Sequence, residues 1–392
     1  MELQKSKLKV GIMAVSTLQM GAFGLMGLVP LAIDHYDNVS VTTVQTAFTL
    51  PMLTGVPIML TVGLLSRNIG KKLLLIAGLC FIFLFGIVPA LFSLSFPVFM
   101  IMMAGLGMGI GCIMSTSTGL IADHFNGAER ANMMGKQSAF VNFGGMSLAF
   151  AVGALLMSGW RNAFFVYLYV IPILFVVLYC IPNNKDEASG RSSHVGKMKL
   201  TSGTVFICTV FAFFGVFHGV VMPNVGLLVL ERNLGDPATA SFAVSIMTAM
   251  GIITGLLYGK ISSAIRKYLL PMALTISICG LLLAGSASST LHLYASFVVI
   301  GIGLSLVIPT GLFRAAQSVD QASSTLAISV LFAIQGVALF FSPIITNPLS
   351  AAITSGAATA QSRYFISAAV LFAVLIYAII YVYREKENRQ HR

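Results

Sequence analysis

Charge is scarce in this chain, and acidic charge most of all. Only 9% of its 392 residues are Asp, Glu, Lys or Arg, and just 12 of these are acidic. A soluble domain carries about 25% charged residues, because water must solvate its surface. Hydrophobic residues instead make up 57% of the chain. This composition excludes an ordinary water-soluble fold and predicts a protein whose solvent is lipid.

Motifs of the common enzyme and pump classes are also missing. The sequence contains no HExxH zinc motif, no P-loop, no nucleophile elbow and no pair of carboxylates inside an apolar run. These absences argue against an enzyme, an ATP-driven pump and a resident cofactor or metal, and no pore loop or charged ring indicates a channel. The five cysteines lie scattered in apolar runs, which indicates packing residues rather than disulfides.

Long apolar runs fill the chain. Crossing a hydrocarbon core of roughly 30 Å takes about 20 residues of α-helix, and the polar residues divide the chain into twelve runs of about this length. The runs are 9–33, 42–65, 72–94, 97–121, 134–158, 161–182, 203–228, 238–260, 268–288, 290–312, 324–347 and 362–384. The sequence therefore predicts an all-α membrane protein with twelve transmembrane helices.

The basic residues fall almost entirely on one side of this topology. If both termini are cytoplasmic, 20 of the 23 Lys and Arg lie on the cytoplasmic side, and only Arg161, Arg232 and Arg363 face outward. The positive-inside rule therefore predicts a multi-pass protein of the cell membrane with both termini in the cytoplasm. The net charge of +11 then follows from cytoplasmic basic loops that lie against the anionic lipids of the inner leaflet. We therefore expect no nucleic-acid partner.

The chain also carries an internal repeat. The Gly-Ile-Gly of 109–111 and the Thr-Gly-Leu of 118–120 recur 192 residues later, at 301–303 and 310–312. Shared motifs at one offset indicate a duplication.

We therefore expect two pseudo-symmetric six-helix halves, 1–182 and 203–392, joined by a polar cytoplasmic linker at 183–202. Two such halves are the architecture of transporters that bind their substrate between them, near the middle of the bilayer.

The loop after the second run resembles the signature of the major facilitator superfamily. That signature places Gly and Leu before Asp-Arg, then Gly and basic residues; here Arg67 stands at the position of the Asp. The resemblance implies the major facilitator fold and a gating loop, which comprises Gly63, Arg67, Gly70, Lys71 and Lys72.

The start of the sixth run resembles one branch of that superfamily, the twelve-span drug:proton antiporters. It reads Gly159-Trp160-Arg161. Other motifs of the branch are degenerate, since Met103 replaces an Arg in the fourth run and 144–153 keeps the glycines of the antiporter motif without its proline.

Few polar side chains lie inside the apolar runs. His218 is the one ionisable group near the middle of a run, so it is the first candidate for proton coupling; Asp34, at the outer mouth, is the second. A neutral imidazole bound to a carbonyl or hydroxyl is the structural alternative for His218.

Amide, aromatic and methionine side chains could line a substrate cavity, because they suit varied apolar ligands. The candidate cavity residues are Gln19, Phe23, Met26, Asn142, His218, Met222, Asn224, Phe332 and Gln335. Interhelical packing or lipid contact is the alternative for each of them taken alone.

The leading hypothesis is a secondary active transporter that exports a small apolar or amphipathic compound by alternating access, coupled to protons. An uptake or facilitated-diffusion carrier for a small metabolite is the alternative, because no carboxylate is predicted in the middle of the membrane. A non-transporting sensor of the same fold is a third possibility. The expected partners are a small-molecule substrate, the lipid bilayer and protons.

Overall fold

The computed structural model describes residues 2–125, 127–182, 201–319, 324–355 and 358–390, and all regular structure in these ranges is helical. Eleven segments are long and apolar enough to cross a membrane. One of them, Pro237–Gly285, contains two helices joined by a 3-10 turn at Arg266–Tyr268. All twelve predicted runs are therefore helical, and the all-α membrane fold is confirmed.

The chain forms two compact units. The first unit consists of Met1–Ser193 with Ala240–Ser245, and the second of His194–Thr239 with Ile246–Arg392. Most of the predicted linker, 183–200, lies outside the described residues.

The first unit contains six spans. The first span is broken into α1, α2, a 3-10 turn at Leu25–Leu28 and α3; α4 to α7 are the second to fifth spans; the sixth is a 3-10 helix, Trp160–Tyr169, followed by α8. The helices are α1 (Glu2–Ser16), α2 (Gly21–Gly24), α3 (Val29–His35), α4 (Val41–Ile69), α5 (Lys71–Leu91), α6 (Phe96–His124), α7 (Gly127–Leu156) and α8 (Val170–Cys180).

The second unit repeats this order. Its first span, the seventh of the chain, consists of α9 and α10 and is broken between them; α11 to α15 are the eighth to twelfth spans. The helices are α9 (Ser202–His218), α10 (Val221–Glu231), α11 (Pro237–Ile265), α12 (Leu269–Gly285), α13 (Thr290–Gln317), α14 (Ser324–Ile353) and α15 (Ala360–Gln390).

Polar residues just before the apolar runs start several of these helices. The hydroxyl of Ser40 accepts a hydrogen bond from the backbone N–H of Thr43 at the start of α4. Asp236 and Thr239 form a capping box at the start of α11. These caps satisfy N–H groups that have no partner within the helix, so the span boundaries follow local sequence chemistry.

Glycines allow α6 to approach its neighbours closely. A Cβ atom at Gly107 would collide with the backbone of Pro51 in α4. A Cβ at Gly109 would lie 2.9 Å from the backbone nitrogen of Ile82 in α5. Backbone-to-backbone contact of this kind needs residues without side chains, as is common between membrane helices.

The second unit packs α13 in the same way. Gly301 lies against Met247 of α11, and a Cβ at Gly303 would lie 2.8 Å from the backbone nitrogen of Ser277 in α12. The tenth span therefore places glycine against the corresponding two neighbours, as the fourth span does.

The packing corrects the predicted repeat offset for this pair of helices. Gly107 and Gly301 face equivalent neighbours, as do Gly109 and Gly303, and each pair is separated by 194 residues. The helix starts, Phe96 and Thr290, also differ by 194. The offset of 192 is thus wrong by two residues, which would turn the helix by about 200°. The reason is that glycine at alternate positions from 105 to 111 matches itself when shifted by two.

A buried tyrosine closes the break in the first span of each unit. In the first unit, the hydroxyl of Tyr167 donates a hydrogen bond to the carbonyl of Gly21, with an oxygen–oxygen distance of 3.2 Å. In the second, the hydroxyl of Tyr364 donates to the carbonyl of Val221 at 3.0 Å. Both tyrosines are fully buried, and each comes from the last span of its unit.

The structure adds the environment of Arg363, which was predicted to lie on the outer side of the membrane. Its side chain is only 7% exposed. Its Nη1 atom donates a hydrogen bond to the amide oxygen of Asn224, at 2.7 Å. The reason is its position in the first turn of α15, from which the side chain packs against α10 instead of extending into water.

Candidate functional site

A network of buried polar side chains lies beside the break of the first span. The amide of Gln19, in the turn between α1 and α2, donates to the hydroxyl of Ser117 on α6 at 2.9 Å. Gln137 of α7 donates to the same hydroxyl at 3.1 Å. All three residues are buried, so three spans are joined by amide–hydroxyl bonds in a region of low dielectric constant.

Other predicted cavity residues of the first unit differ in exposure. Met26 is 1% exposed, whereas Phe23 and Asn142 are half-buried. The amide nitrogen of Asn142 donates to the carbonyl of Ser138 in its own helix. Its amide oxygen is an additional acceptor on a partly accessible side chain.

His218 ends α9, next to the break of the seventh span. It is 6% exposed, and its ring stacks on Phe214 with 4.5 Å between the ring centroids. Its Nε2 atom is buried and has no hydrogen-bond partner among the described residues. Because a buried polar atom is normally paired, an unpartnered nitrogen here indicates a group that can receive a ligand or a proton.

Gln335 of α14 is the second unpartnered polar group in this region. Its Oε1 atom is buried and lacks a hydrogen-bond partner in the described ranges. The same atom lies 3.3 Å from the position that a Cβ would occupy at Gly215, one turn before His218. The hydroxyl of Ser342 joins α14 to α9 by donating a hydrogen bond to the carbonyl of Val216 at 2.6 Å.

The remaining predicted cavity residues of the second unit are Met222, Phe332 and Asn224. Met222 is 8% exposed and Phe332 is half-buried. Asn224 is fully buried, and its amide binds the protein in both directions: it accepts from Arg363 and donates to the carbonyl of Val220 at 2.9 Å. Substrate binding by this amide would compete with those bonds.

The predicted gating loop joins α4 to α5 at Gly70, whose φ of 82° lies in the left-handed region. Lys71 forms a salt bridge with Asp123 at the end of α6, and Lys72 donates to the carbonyl of Leu178. The surroundings of Gly63 and the side chain of Arg67 lie outside the described residues.

A second ionic cluster lies at the start of α7. Glu129 accepts hydrogen bonds from Lys5 at 2.6 Å and Lys9 at 3.0 Å. These ammonium groups lower the pKa of the Glu129 carboxyl. Asp34, the second candidate for proton coupling, is exposed at the end of α3.

Sequence reasoning missed Ser117, Gln137 and Arg363. A signal for Gln137 was available, since it is an amide only four residues into the fifth run. No pattern identified Ser117 among the many hydroxyls of α6, because only its contact with two amides distinguishes it.

Comparisons with known proteins agree with this architecture. No curated protein sequence matches the chain. A bacterial homolog of the human lysosomal transporter Spinster, in an inward-facing and unoccupied conformation, is 14% identical with a TM-score of 0.72, over 96% of this chain and 95% of that one.

Two peptide-transporter structures are also similar. The peptide transporter POT in complex with sulfate has 11% identity and a TM-score of 0.76, over 96% of this chain and 94% of the other. The POT family transporter PepTSo has 13% identity and a TM-score of 0.75, over 97% and 98%. At these identities the likeness shows the fold.

The sequence pattern of one family matches nearly the whole chain, over residues 12–220 and 205–392. This protein belongs to the Major Facilitator Superfamily and is a multi-pass membrane transporter of that type.

Proposed function

We propose that this transporter exports a small neutral or amphipathic compound by alternating access, in exchange for protons. The observation that supports the proposal is the pair of buried, unpartnered polar atoms in the second unit, Nε2 of His218 and Oε1 of Gln335. An imidazole nitrogen can donate or accept a hydrogen bond, and an amide oxygen accepts one. A ligand with a hydroxyl or amide group could satisfy both atoms.

The neighbouring residues favour a largely apolar ligand. Phe214 stacks on His218, and Met222 and Phe332 are further candidates for the apolar wall. Apolar surface with a few orienting polar groups is the usual composition of a small-molecule site.

A buried cation of the second unit is already hydrogen-bonded. Arg363 is buried in the second unit but is bound to Asn224, so it is not a free partner for an anionic substrate. Neutral compounds are favoured because an unpaired charge in this environment costs several kcal/mol.

His218 is the proposed site of proton coupling. An imidazole is the side chain whose charge changes most readily near neutral pH, and this one has a free nitrogen. A proton on Nε2 would need an acceptor that the described residues do not supply, so substrate and proton would compete for the same atom. Such competition is what exchange of the two requires.

Transport by the purified protein in lipid vesicles tests this function. An antiporter moves substrate toward the acidic compartment, and a symporter moves it toward the alkaline one. His218→Ala should abolish accumulation driven by a pH gradient but still allow exchange between equal substrate pools, because exchange needs no net proton movement. The exchange should need more substrate than in the wild type, since the ligand loses one hydrogen bond.

His292→Ala is the matched control. His292 lies in the first turn of α13, where its backbone N–H rather than its ring takes part in the cap. Accumulation that persists in His218→Ala would remove this residue from the coupling mechanism.

A carrier without proton coupling is the second candidate. It is favoured by the ion pairs of the described residues, which join only Lys5, Lys9 and Lys71 to Glu129 and Asp123, all of them near helix ends in the first unit. Substrate exchange by the wild-type protein, with no response to a pH gradient, would establish this carrier. No substrate movement of either kind would favour the sensor.

A further inference from the structure

Arg363 is a buried cation to which the proposed transport cycle assigns no task. Its side chain is 93% buried, and its Nε atom has no hydrogen-bond partner in the described part of the chain. Its Nη1 atom is bound to Asn224. A buried charge with incomplete pairing is costly. Its contribution to stability alone therefore does not account for its presence.

The contacts of Arg363 lead to the broken seventh span. Asn224, which receives its hydrogen bond, donates in turn to the carbonyl of Val220 at 2.9 Å. Val220 and Gly219 form the break between α9 and α10. The side-chain amide of Asn224 thus gives the carbonyl at the start of α10 an additional donor and is itself held in one orientation.

The first turn of α15 holds α10 at two further points. The backbone N–H of Ala360 donates to the carboxylate of Glu231, at 2.7 and 3.0 Å from its two oxygens. The hydroxyl of Tyr364 donates to the carbonyl of Val221 at 3.0 Å. Residues 360, 363 and 364 thus bind α10 at its end, its middle and its start.

We propose that Arg363 is a positioning residue that orients the amide of Asn224 and so fixes the break of the seventh span against α15. His218 lies just before the break and Met222 just after it. The geometry of the break therefore sets the relative orientation of these two side chains. The link to transport rests on the proposed function, whereas the positioning itself does not.

Hydrogen exchange on the full-length protein, without substrate, tests the positioning. In Arg363→Met we expect the amides of residues 221–226 to exchange at least about tenfold faster, because a hydrogen bond to a charged group is lost. Amides 206–214 of α9 should be unchanged. The unfolding temperature should change little, because Glu231, the acidic group that attracts Arg363, is exposed and keeps its hydrogen bond from the backbone of Ala360.

The combination of faster local exchange with undiminished global stability distinguishes positioning from simple structural support. Arg363→Lys, which keeps the charge and a donor, should restore part of the protection and also serves if Arg363→Met does not fold. Arg232→Met is the matched control: Arg232 is exposed and bonds Ala287 and Gln361 instead.

Asn224→Leu provides a second, independent test. It leaves the Arg363 charge buried without its acceptor, so the unfolding temperature should fall, and adding Arg363→Met should raise it again. Wild-type exchange at 221–226 in a folded Arg363→Met protein would overturn the proposal. So would a fall in unfolding temperature without a local change in exchange. Neither result depends on whether the protein transports a neutral compound.

Discussion

Lys71 donates a hydrogen bond to the carboxylate of Asp123 and thereby joins the start of α5 to the end of α6. Lys71 belongs to the loop that resembles the superfamily signature, in which Arg67 replaces the acidic residue. The carboxylates of Asp123 and Glu129 both have lysine partners in the structure. Lys71, the basic residue after the glycine, therefore makes an ionic contact with the end of α6.

Asp123→Asn should loosen this end of the first unit. The side chains of Lys71 and Asp123 are 21% and 45% exposed, so the pair contributes about 0–1 kcal/mol, enough for a severalfold shift between two conformations. The labelling rate of Cys180, as the single cysteine, reports on this end. Lys71→Met should have the same effect, and the double variant no larger one. Additive effects would show that the two residues act separately.

Arg67→Ala tests the altered signature directly. If Arg67 takes part in gating, its removal should change thiol accessibility at the same end of the first unit. The measurement is the labelling of single-cysteine reporters with substrate present and absent. If the variant and the wild type are labelled at the same rate, both with and without substrate, Arg67 serves only to orient the chain in the membrane.

Glu129 should make a pH-dependent contribution to stability. Lys5 and Lys9 lower its pKa from the ordinary value of 4.5. A lowered pKa stabilises the folded state above the unfolded pKa, and the contribution is lost as pH falls through the folded value. Glu129→Gln should therefore unfold at a lower temperature than wild type at neutral pH, and the difference should disappear in acid. High salt should reduce it as well. Asp34→Asn, which removes an exposed carboxylate of the same unit, is the control for the loss of one negative charge.

A tightly packed glycine and a glycine in open space should differ in how substitution by alanine changes the free energy of unfolding. A Cβ at Gly111 would lie 2.8 Å from the Cα of Gly55, so Gly111→Ala should lower the free energy of unfolding by about 1–3 kcal/mol. At Gly255, inside α11, no described atom lies within 4 Å of the added Cβ. Gly255→Ala should therefore raise the stability by about 0.5–1 kcal/mol, because alanine restricts the unfolded chain. Thermal unfolding in detergent measures both, and a loss of stability at Gly255 would contradict the packing described for it.

The substrate site should prefer uncharged compounds. Size-matched aryl probes separate the classes: 2,2,2-triphenylethanol is neutral and carries a hydroxyl donor, methyltriphenylphosphonium is a cation and triphenylacetate is an anion. The neutral probe should raise the unfolding temperature most, and Gln335→Leu should reduce that shift by removing an acceptor. A clear preference for the cation or the anion would contradict the neutral site.

The sequence predicted the positions of the membrane spans well, but it predicted poorly which neighbouring helix each residue faces. The reason is physical. Hydropathy is a sum over about 20 residues, so the spans from α4 to α15 could be located without knowing their neighbours. Facing depends on single residues. The offset of 192 pairs Gly109 with Gly301. In the structure Gly109 packs against α5, the third span of the first unit, whereas Gly301 packs against α11, the second span of the second unit, so the two glycines lie on different faces of their helices.

The candidate site shows the same division. His218 was identified because an ionisable residue in an apolar run is rare. The role of Asn224 could not be predicted, since its amide could equally have bound a substrate. Its partner Arg363 lies at a span boundary, where a long side chain can extend to the headgroups or pack inward. Only the packing of α15 on α10 decides between them.

The hydroxyls of Tyr167 and Tyr364 supply at each broken span what water supplies to a helix break in a soluble protein. Each carbonyl they bind is satisfied by a side chain fixed in the core. Each tyrosine belongs to the last span of its unit and each carbonyl to the first, so the two bonds tie together the beginning and the end of each unit. A displacement of the last span must therefore carry the broken first span with it, or leave a buried hydroxyl without its acceptor.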